Sequence, residues 1–137
     1  SEIIRHNGDS LCLGGCENDG DGKHFPQYGD LPKTFQGMDS IPCKILLSHD
    51  PTHWRRTVLK EPAERDVILM LAGHTHATQF MVCGWAPSKH IYSEWYGLYE
   101  ENNHFLNVSS GIGGAGLPFR FGAWPEICVI TLKHKEK

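Results

Sequence analysis

Two short apolar runs, each ended by a small residue and a histidine, constrain the fold of this chain most strongly. Residues 43–47 are followed by Ser-His-Asp-Pro, and residues 67–72 are followed by Gly-His-Thr-His. Apolar runs of this length, bounded by turn formers, are typical of buried strands. If the two strands are neighbours, His49, His74 and His76 meet at the sheet edge where sites of α/β proteins lie.

The rest of the chain predicts a strand-rich domain with few helices. Glycine is frequent, at 15 residues, and helical periodicity is rare. Asp50 and Pro51 favour the start of a short helix over residues 52–56, with Asp50 as its cap. Further strands are predicted at residues 10–16, 79–83, 105–108 and 127–132, with loops at 18–32 and 109–122. The predicted fold class is α/β (α+β), with a mixed sheet of about five to seven strands and one or two short helices.

Bulk composition limits the classes of function. The 137 residues suit one domain, and a net charge of -3 does not indicate a nucleic-acid-binding surface. The apolar runs are far shorter than the roughly 18 residues of a membrane span. Unpaired cysteines favour a cytoplasmic location, although a removed signal or anchor would leave no trace in this sequence, so the compartment stays open.

The cysteines do not form a recognisable framework. There are five, an odd number, and no Cys-x-x-Cys occurs. Cys43 and Cys128 adjoin apolar runs, where small buried thiols are expected. Cys12 and Cys16 are spaced for a metal or a disulfide, but the predicted strand and turn disfavour both.

The Gly-His-Thr-His stretch suits metal chemistry. In an extended chain His74 and His76 point to the same side, roughly 6.5 to 7 Å apart, and can serve one metal or two neighbouring ones. Gly73 allows a tight backbone at the strand end. Imidazole binds zinc, manganese and iron. A pair of hydrogen-bonded loop histidines is the alternative for His-x-His alone, and His49 shifts the balance toward metal ligands.

These motifs resemble a known family. The stretches at 48–51 and 73–76, with the closing segment GLPFRFGAWPEICVITL, are similar to the calcineurin-like metallophosphoesterases, and the tail is similar to bacterial members. The resemblance implies a phosphoesterase β-sandwich domain whose C-terminal part spans residues 1–137. It also implies phosphoester hydrolysis with two divalent metals, Mn, Fe or Zn, about 3.5 to 4 Å apart. His49 and His74 would bind one metal and His76 the other. Ala77 and Thr78 replace the more usual pair of glycines before glutamine.

Two other motifs of the family, an Asp-x-His and a Gly-Asn-His, do not occur upstream of His49, and the Gly-Asp pairs there have no Asp-x-His before them. The family uses an Asp-x-His, a Gly-Asp and a Gly-Asn-His there. The Gly-Asp pairs of this chain lie in or beside turns, at Asp9, Asp21 and Asp30, and Asn103-His104 follows the Gly-His-Thr-His stretch. The resemblance therefore implies that the N-terminal part with the remaining ligands is absent. It further implies an isolated chain that is inactive, binds one metal weakly or none, and forms a homodimer through its uncovered sheet. The alternative is a non-catalytic metal- or partner-binding module, which upstream sequence lacking the three motifs would favour.

Two further features each have two interpretations. Arg120, like Gly73, is a candidate to lie near substrate, because guanidinium suits phosphate oxygens; a solvated loop arginine is the alternative. Aromatic residues along a long connection wall a pocket or pack over the sheet edge. They are Trp85, Tyr92, Trp95, Tyr96 and Tyr99.

Overall fold

A six-stranded mixed sheet organises the structure, a computed structural model that describes residues 1–20, 22–60 and 67–133. The strands are β1 (Glu2–His6), β2 (Asp9–Gly15), β3 (Lys44–Leu47), β4 (Val67–Ala72), β5 (Gly97–Glu101) and β6 (His104–Val108). Their order across the sheet is β1-β2-β3-β4-β6-β5. The predicted α/β fold class and mixed sheet are confirmed, and the strands predicted at 10–16, 43–47, 67–72 and 105–108 are present.

The centre of the sheet is parallel and its two edges are hairpins. β2, β3, β4 and β6 pair in parallel, whereas β1 pairs with β2 and β5 with β6 antiparallel. Each hairpin turns through two residues of positive φ, Asn7-Gly8 and Asn102-Asn103. Positive φ at both central residues is the requirement of the tight hairpin turn that matches strand twist. The parallel arrangement places the carboxyl ends of β3 and β4 at one edge.

The core lies on the face of the sheet covered by the helices. Leu46, Met70 and Leu106 lie side by side in β3, β4 and β6 and are fully buried. Two short helices cover them, α1 (Leu31–Thr34) and α2 (Thr52–Arg56), together with the residues that follow. A methyl group at Gly14 would lie 2.6 Å from Phe35, so glycine allows this close approach. The other face is less covered, since Leu47 is 42% exposed.

Two predicted strands are wrong. Residues 79–83 contain only isolated bridges, because the chain turns through a 3₁₀ segment at His76–Gln79 instead of extending. Residues 127–132 have no regular structure, and Ile127 and Val129 are 85% and 90% exposed. Their β-branched composition favours a strand, but within residues 1–20, 22–60 and 67–133 they pair with neither edge of the sheet, β1 nor β5.

The helix predictions hold with small changes. α2 occupies the predicted residues 52–56, and Asp50 Oδ1 accepts the Thr52 amide at 2.8 Å, although Pro51 is the residue at the cap position. α1 begins inside the predicted loop at 18–32, where Asp30 caps it by accepting the Lys33 amide at 2.9 Å. None of the helices described is long and apolar enough to cross a membrane.

Candidate metal centre

The ends of β3 and β4 bring two of the predicted histidines together. The hydrogen bonds between these strands continue beyond their ends: the Ser48 amide donates to Leu71 O at 3.1 Å, and the Gly73 amide donates to His49 O at 3.0 Å. The rings of His49 and His74 therefore meet edge to face, with centroids 5.2 Å apart and planes at 86°. The expected meeting of these two side chains at the sheet edge is present.

The backbone turn after β4 is made by His74 and not by Gly73. His74 has φ +66°, in the left-handed region that few non-glycine residues adopt. A methyl group at Gly73 would lie 3.9 Å from both His49 Nδ1 and Ser109 O, which is ordinary contact. The expectation that Gly73 supplies the tight backbone is therefore wrong, although Gly73 does line the cleft described below.

A tyrosine holds His74, and a carboxylate lies beside it. Its Nε2 lies 2.9 Å from the Tyr92 hydroxyl and 3.8 Å from Asp50 Oδ2. Its ring also meets the edge of Phe25, with centroids 4.8 Å apart. Of the aromatic residues singled out in the sequence, Tyr92 thus walls the site. Tyr99 instead ties its own connection together by accepting the Trp95 amide at 3.0 Å.

Asp50 joins the site, which its predicted role as a helix cap did not suggest. It is 1% exposed. One carboxylate oxygen accepts the Thr52 amide and hydroxyl at 2.8 and 2.7 Å, and the other faces His74. Its position immediately after His49 is the sequence signal that could have identified it, because ligating histidines commonly have a carboxylate partner.

His76 lies in a left-handed turn and does not join the pair. Four consecutive residues have positive φ, at +50°, +48°, +51° and +58° for His76, Ala77, Thr78 and Gln79. The Gln79 side-chain amide anchors this turn to the glycine-rich connection by donating to Leu117 O at 2.8 Å and to Phe119 O at 2.9 Å. The extended geometry assumed for His74 and His76 is therefore wrong.

Arg120 contacts His76 and otherwise binds backbone. Its guanidinium donates to Ser110 O at 2.7 Å, to Ala123 O at 2.8 Å and to Gly113 O at 3.0 Å, and its Nη2 lies 3.4 Å from His76 Nδ1. These contacts exclude the solvated loop arginine, and the proximity of Arg120 to substrate stays a prediction. It fixes the shape of the connection beside His76.

A fully buried histidine, His53, was not identified from the sequence. Its Nδ1 lies 2.8 Å from Ser48 Oγ and 3.8 Å from Cys16 Sγ, and its Nε2 lies 3.5 Å from Asp19 Oδ2. Asp19 is paired in turn with Arg56. Burial lowers the pKa of His53, so the ring stays neutral and anchors Ser48, the residue before His49. No motif marks such a residue in a single sequence.

An open cleft of about 470 Å³ lies over the strand ends. Ser48, His49 and Gly73 line it on the sheet side, and Cys128 and Ile130 line it from the tail. The cleft gives a ligand direct access to His49.

All five cysteines are free. Cys128 is exposed, so its predicted burial is wrong, and Cys43 is partly buried.

The donors fit a divalent metal only in part. His49, His74 and Asp50 offer two imidazoles and a carboxylate, the donor types that transition metals take. His76 does not fit in this arrangement, because its Nδ1 faces a cation. Within residues 1–20, 22–60 and 67–133, no three His, Cys, Asp or Glu side chains are grouped closely enough to hold a metal ion.

Comparison with known proteins gives relatives whose names all contain the word metallophosphoesterase. A Bos taurus protein named "Transmembrane protein with metallophosphoesterase domain" is 32% identical over 133 residues, 94% of this chain and 29% of that protein. The Bacillus subtilis "Uncharacterized metallophosphoesterase YkuE" is 36% identical over 109 residues, 76% of this chain and 36% of that protein. An "Uncharacterized metallophosphoesterase" of Aquifex aeolicus is 29% identical over 121 residues, 86% of this chain and 44% of that protein.

The chain spans less than half of the length of each of these relatives. They come from an animal as well as from bacteria, so the similarity predicted from the tail is not confined to bacterial proteins. No protein-family model matches the chain. No solved structure matches it either.

Proposed function

Because the chain belongs to the calcineurin-like metallophosphoesterase family, we propose that it forms part of a metal-dependent phosphoester hydrolase. Its contribution is a set of imidazole ligands, with His49 and His74 on one metal and His76 on a second. The observation that carries this proposal is the edge-to-face pair of His49 and His74, with centroids 5.2 Å apart at the ends of adjacent parallel strands.

Each residue around the pair has a distinct role in the proposal. His49 faces the open cleft, where a phosphoester has access. Tyr92 holds the His74 ring at its Nε2, and the Asp50 carboxylate lies beside the same nitrogen. A bound pair of divalent ions would supply Lewis-acid polarisation of the phosphate and lower the pKa of the attacking water. Arg120 does not bind substrate in this proposal, because backbone carbonyls take up its donors.

The 137-residue chain alone is proposed to be inactive. A two-metal centre needs carboxylate or amide ligands that bridge and complete both coordination shells. Among the described residues, the carboxylate of Asp50 lies 3.8 Å from His74, and Asn107, which carries an amide, lines the cleft with His49; these alone do not complete two coordination shells. The remaining ligands would come from residues outside these 137, and which of Mn, Fe or Zn they select is set by the complete ligand set.

Metal binding to the chain tests the histidine pair. Calorimetry with Zn²⁺ should give weak one-site binding to the wild type, and binding at least about tenfold weaker with His49→Ala or His74→Ala, since each removes one of two ligands. His90→Ala is the matched control, because His90 is exposed and its ring packs on Trp85. Equal binding by all four proteins would remove the pair from the site.

Hydrolysis assays test whether the chain supplies only part of the metal centre. With added Mn²⁺, we expect no turnover of an aryl phosphate by the 137-residue chain. We expect turnover by a longer protein that includes upstream ligands, and we expect its loss on His74→Ala. Turnover by the short chain that is lost on His74→Ala would contradict the proposal that the chain is only part of the centre.

A non-catalytic metal-binding module is the second candidate. It is favoured by one observation, the contact of His76 Nδ1 with the Arg120 guanidinium at 3.4 Å, which occupies one of the two ring nitrogens that could bind a metal. The longer protein distinguishes the two candidates, because a binding module would retain Zn²⁺ affinity without turnover.

A further inference from the structure

The contact between Arg120 and His76 has the wrong polarity for a metal ligand, since the histidine nitrogen accepts a hydrogen bond where a metal ligand would donate one. Histidines that bind metals usually donate their second ring N–H to a carboxylate or a carbonyl, which orients the ring and strengthens the ligand. Arginine has donors only and no acceptor. The Nδ1 that faces Arg120 Nη2 at 3.4 Å must therefore offer its lone pair to the guanidinium.

This polarity affects both ring nitrogens. A neutral imidazole carries one proton. If Nδ1 accepts from Arg120, the proton lies on Nε2, and that nitrogen has no lone pair for a metal. If a metal instead approaches Nδ1, it must displace the guanidinium and meet its positive charge at short range.

The guanidinium is firmly held where it is. It donates to the carbonyls of Ser110, Gly113 and Ala123, which all belong to the glycine-rich connection or directly follow it. Gln79 binds the same connection from the other side by donating to Leu117 O and Phe119 O. Arg120 therefore has a fixed position beside His76, and moving it requires breaking several backbone contacts.

We propose that Arg120 is a positioning residue that opposes metal binding by His76, so that His76 becomes a ligand only when Arg120 is displaced. This inference rests on the proposed function of His76 as a ligand of the second metal. It predicts that His49 and His74 take up a metal first, while His76 stays bound to Arg120.

The experiment follows each histidine separately in the 137-residue chain. Long-range ¹H–¹⁵N spectra of histidine-labelled protein report the tautomer of each ring, and added Ni²⁺ broadens the signals of the rings that it approaches. Ni²⁺ is used because it binds imidazole more tightly than Mn²⁺ does. The variants are Arg120→Met, without charge or donors, and Arg120→Lys, which keeps both.

In the wild type, we expect the His76 proton on Nε2 and broadening of His49 and His74 before His76. With Arg120→Met, His76 should broaden at about tenfold lower Ni²⁺, whereas Arg120→Lys should stay close to the wild type. Gln79→Ala controls for a loosened connection, because it removes the other anchor without changing the guanidinium, and we expect it to leave His76 unaffected.

The outcomes separate this inference from the proposed function. If His49 and His74 do not broaden, the proposed function fails. If they broaden but His76 responds equally in the wild type and Arg120→Met, the inference is wrong. An equal gain with Gln79→Ala would also overturn it, since mobility and not polarity would be the cause. If Arg120→Met does not fold, the tautomer of His76 in the wild type decides. A proton on Nδ1 would overturn the inference, because two donors cannot face each other. A proton on Nε2 would support it.

Discussion

Thr78→Gly should stabilise this protein. Thr78 has φ +51° and is the third of four consecutive residues in the left-handed turn after β4. β-branched residues tolerate this conformation poorly, and left-handed residues normally occur singly. Glycine has no Cβ to clash in this conformation.

The size of the gain follows from three opposing effects. A non-glycine residue in the left-handed region costs about 1–3 kcal/mol. Glycine gives the unfolded chain extra freedom, which opposes the gain by about 0.4–1 kcal/mol. The Thr78 hydroxyl also donates to Ala77 O at 2.7 Å, but Thr78 is exposed, so water replaces much of this bond. Relief of the backbone strain outweighs the other two effects, and we expect a net gain of about 1 kcal/mol.

Urea unfolding followed by tryptophan fluorescence measures the effect as a shifted midpoint at constant slope. The melting temperature should rise by about 3–5 °C for a domain of this size. Thr57→Gly is the matched control, because Thr57 has φ -125° and bears no such strain. There the change should destabilise the protein by about 0.4–1 kcal/mol.

Ala77→Gly separates strain from packing. Ala77 has φ +48° but is fully buried beside Ala86 and Ala123. Losing its methyl group costs about 0.8 kcal/mol of burial, which offsets most of the strain relief. The reasoning is refuted if Thr78→Gly lowers the midpoint as Thr57→Gly does, because Thr78 would then not be strained in solution.

Three further predictions concern pH, thiols and association. Burial lowers the pKa of His53, so the unfolded chain binds a proton near pH 6.5 that the folded chain does not. The free energy of unfolding should therefore be full above pH 7 and fall with decreasing pH, by at most about 1.4 kcal/mol per pH unit. Urea midpoints should show this slope in the wild type and a smaller slope in His53→Gln. With iodoacetamide, exposed Cys83 should be alkylated much faster than buried Cys12, and mass spectrometry showing equal rates would contradict the buried core around β2. The exposed apolar tail, with Ile127 85% exposed, should drive self-association. Sedimentation at micromolar concentration should therefore report a dimer or larger species. A monomer that binds no hydrophobic dye would exclude this self-association.

Two of the central strands could be predicted because their sequences are mostly apolar, as those of parallel strands are. Residues 67–72 are apolar throughout, and Lys44 is the one polar residue of 43–47. The edge strands β1 and β5 were not predicted, because edges are polar and carry less periodic signal. The Asn7-Gly8 pair was an available sign of the first hairpin. The prediction for the tail was wrong for the opposite reason, since its composition favours a strand that finds no partner in the described residues.

The site could be predicted as far as strand adjacency determines it. His49 and His74 meet because each follows one of two paired strands. His76 could not be placed, since the assumption of an extended chain fails at the left-handed backbone of His74. His53 and Asp19 lie in separate segments of the chain, and only the tertiary fold brings them within 3.5 Å.

The arrangement of hairpins around a parallel centre also determines how the chain must fold. β1 with β2, and β5 with β6, close through two-residue turns, and hairpins form in roughly 1–10 μs. The parallel pairs join residues far apart in sequence, such as Cys12 with Lys44 and Leu69 with Phe105. Their loops must close before any pairing is gained, which makes such contacts slow. His49 and His74 follow two of these strands, so we expect the candidate metal centre to assemble late in folding, after both hairpins.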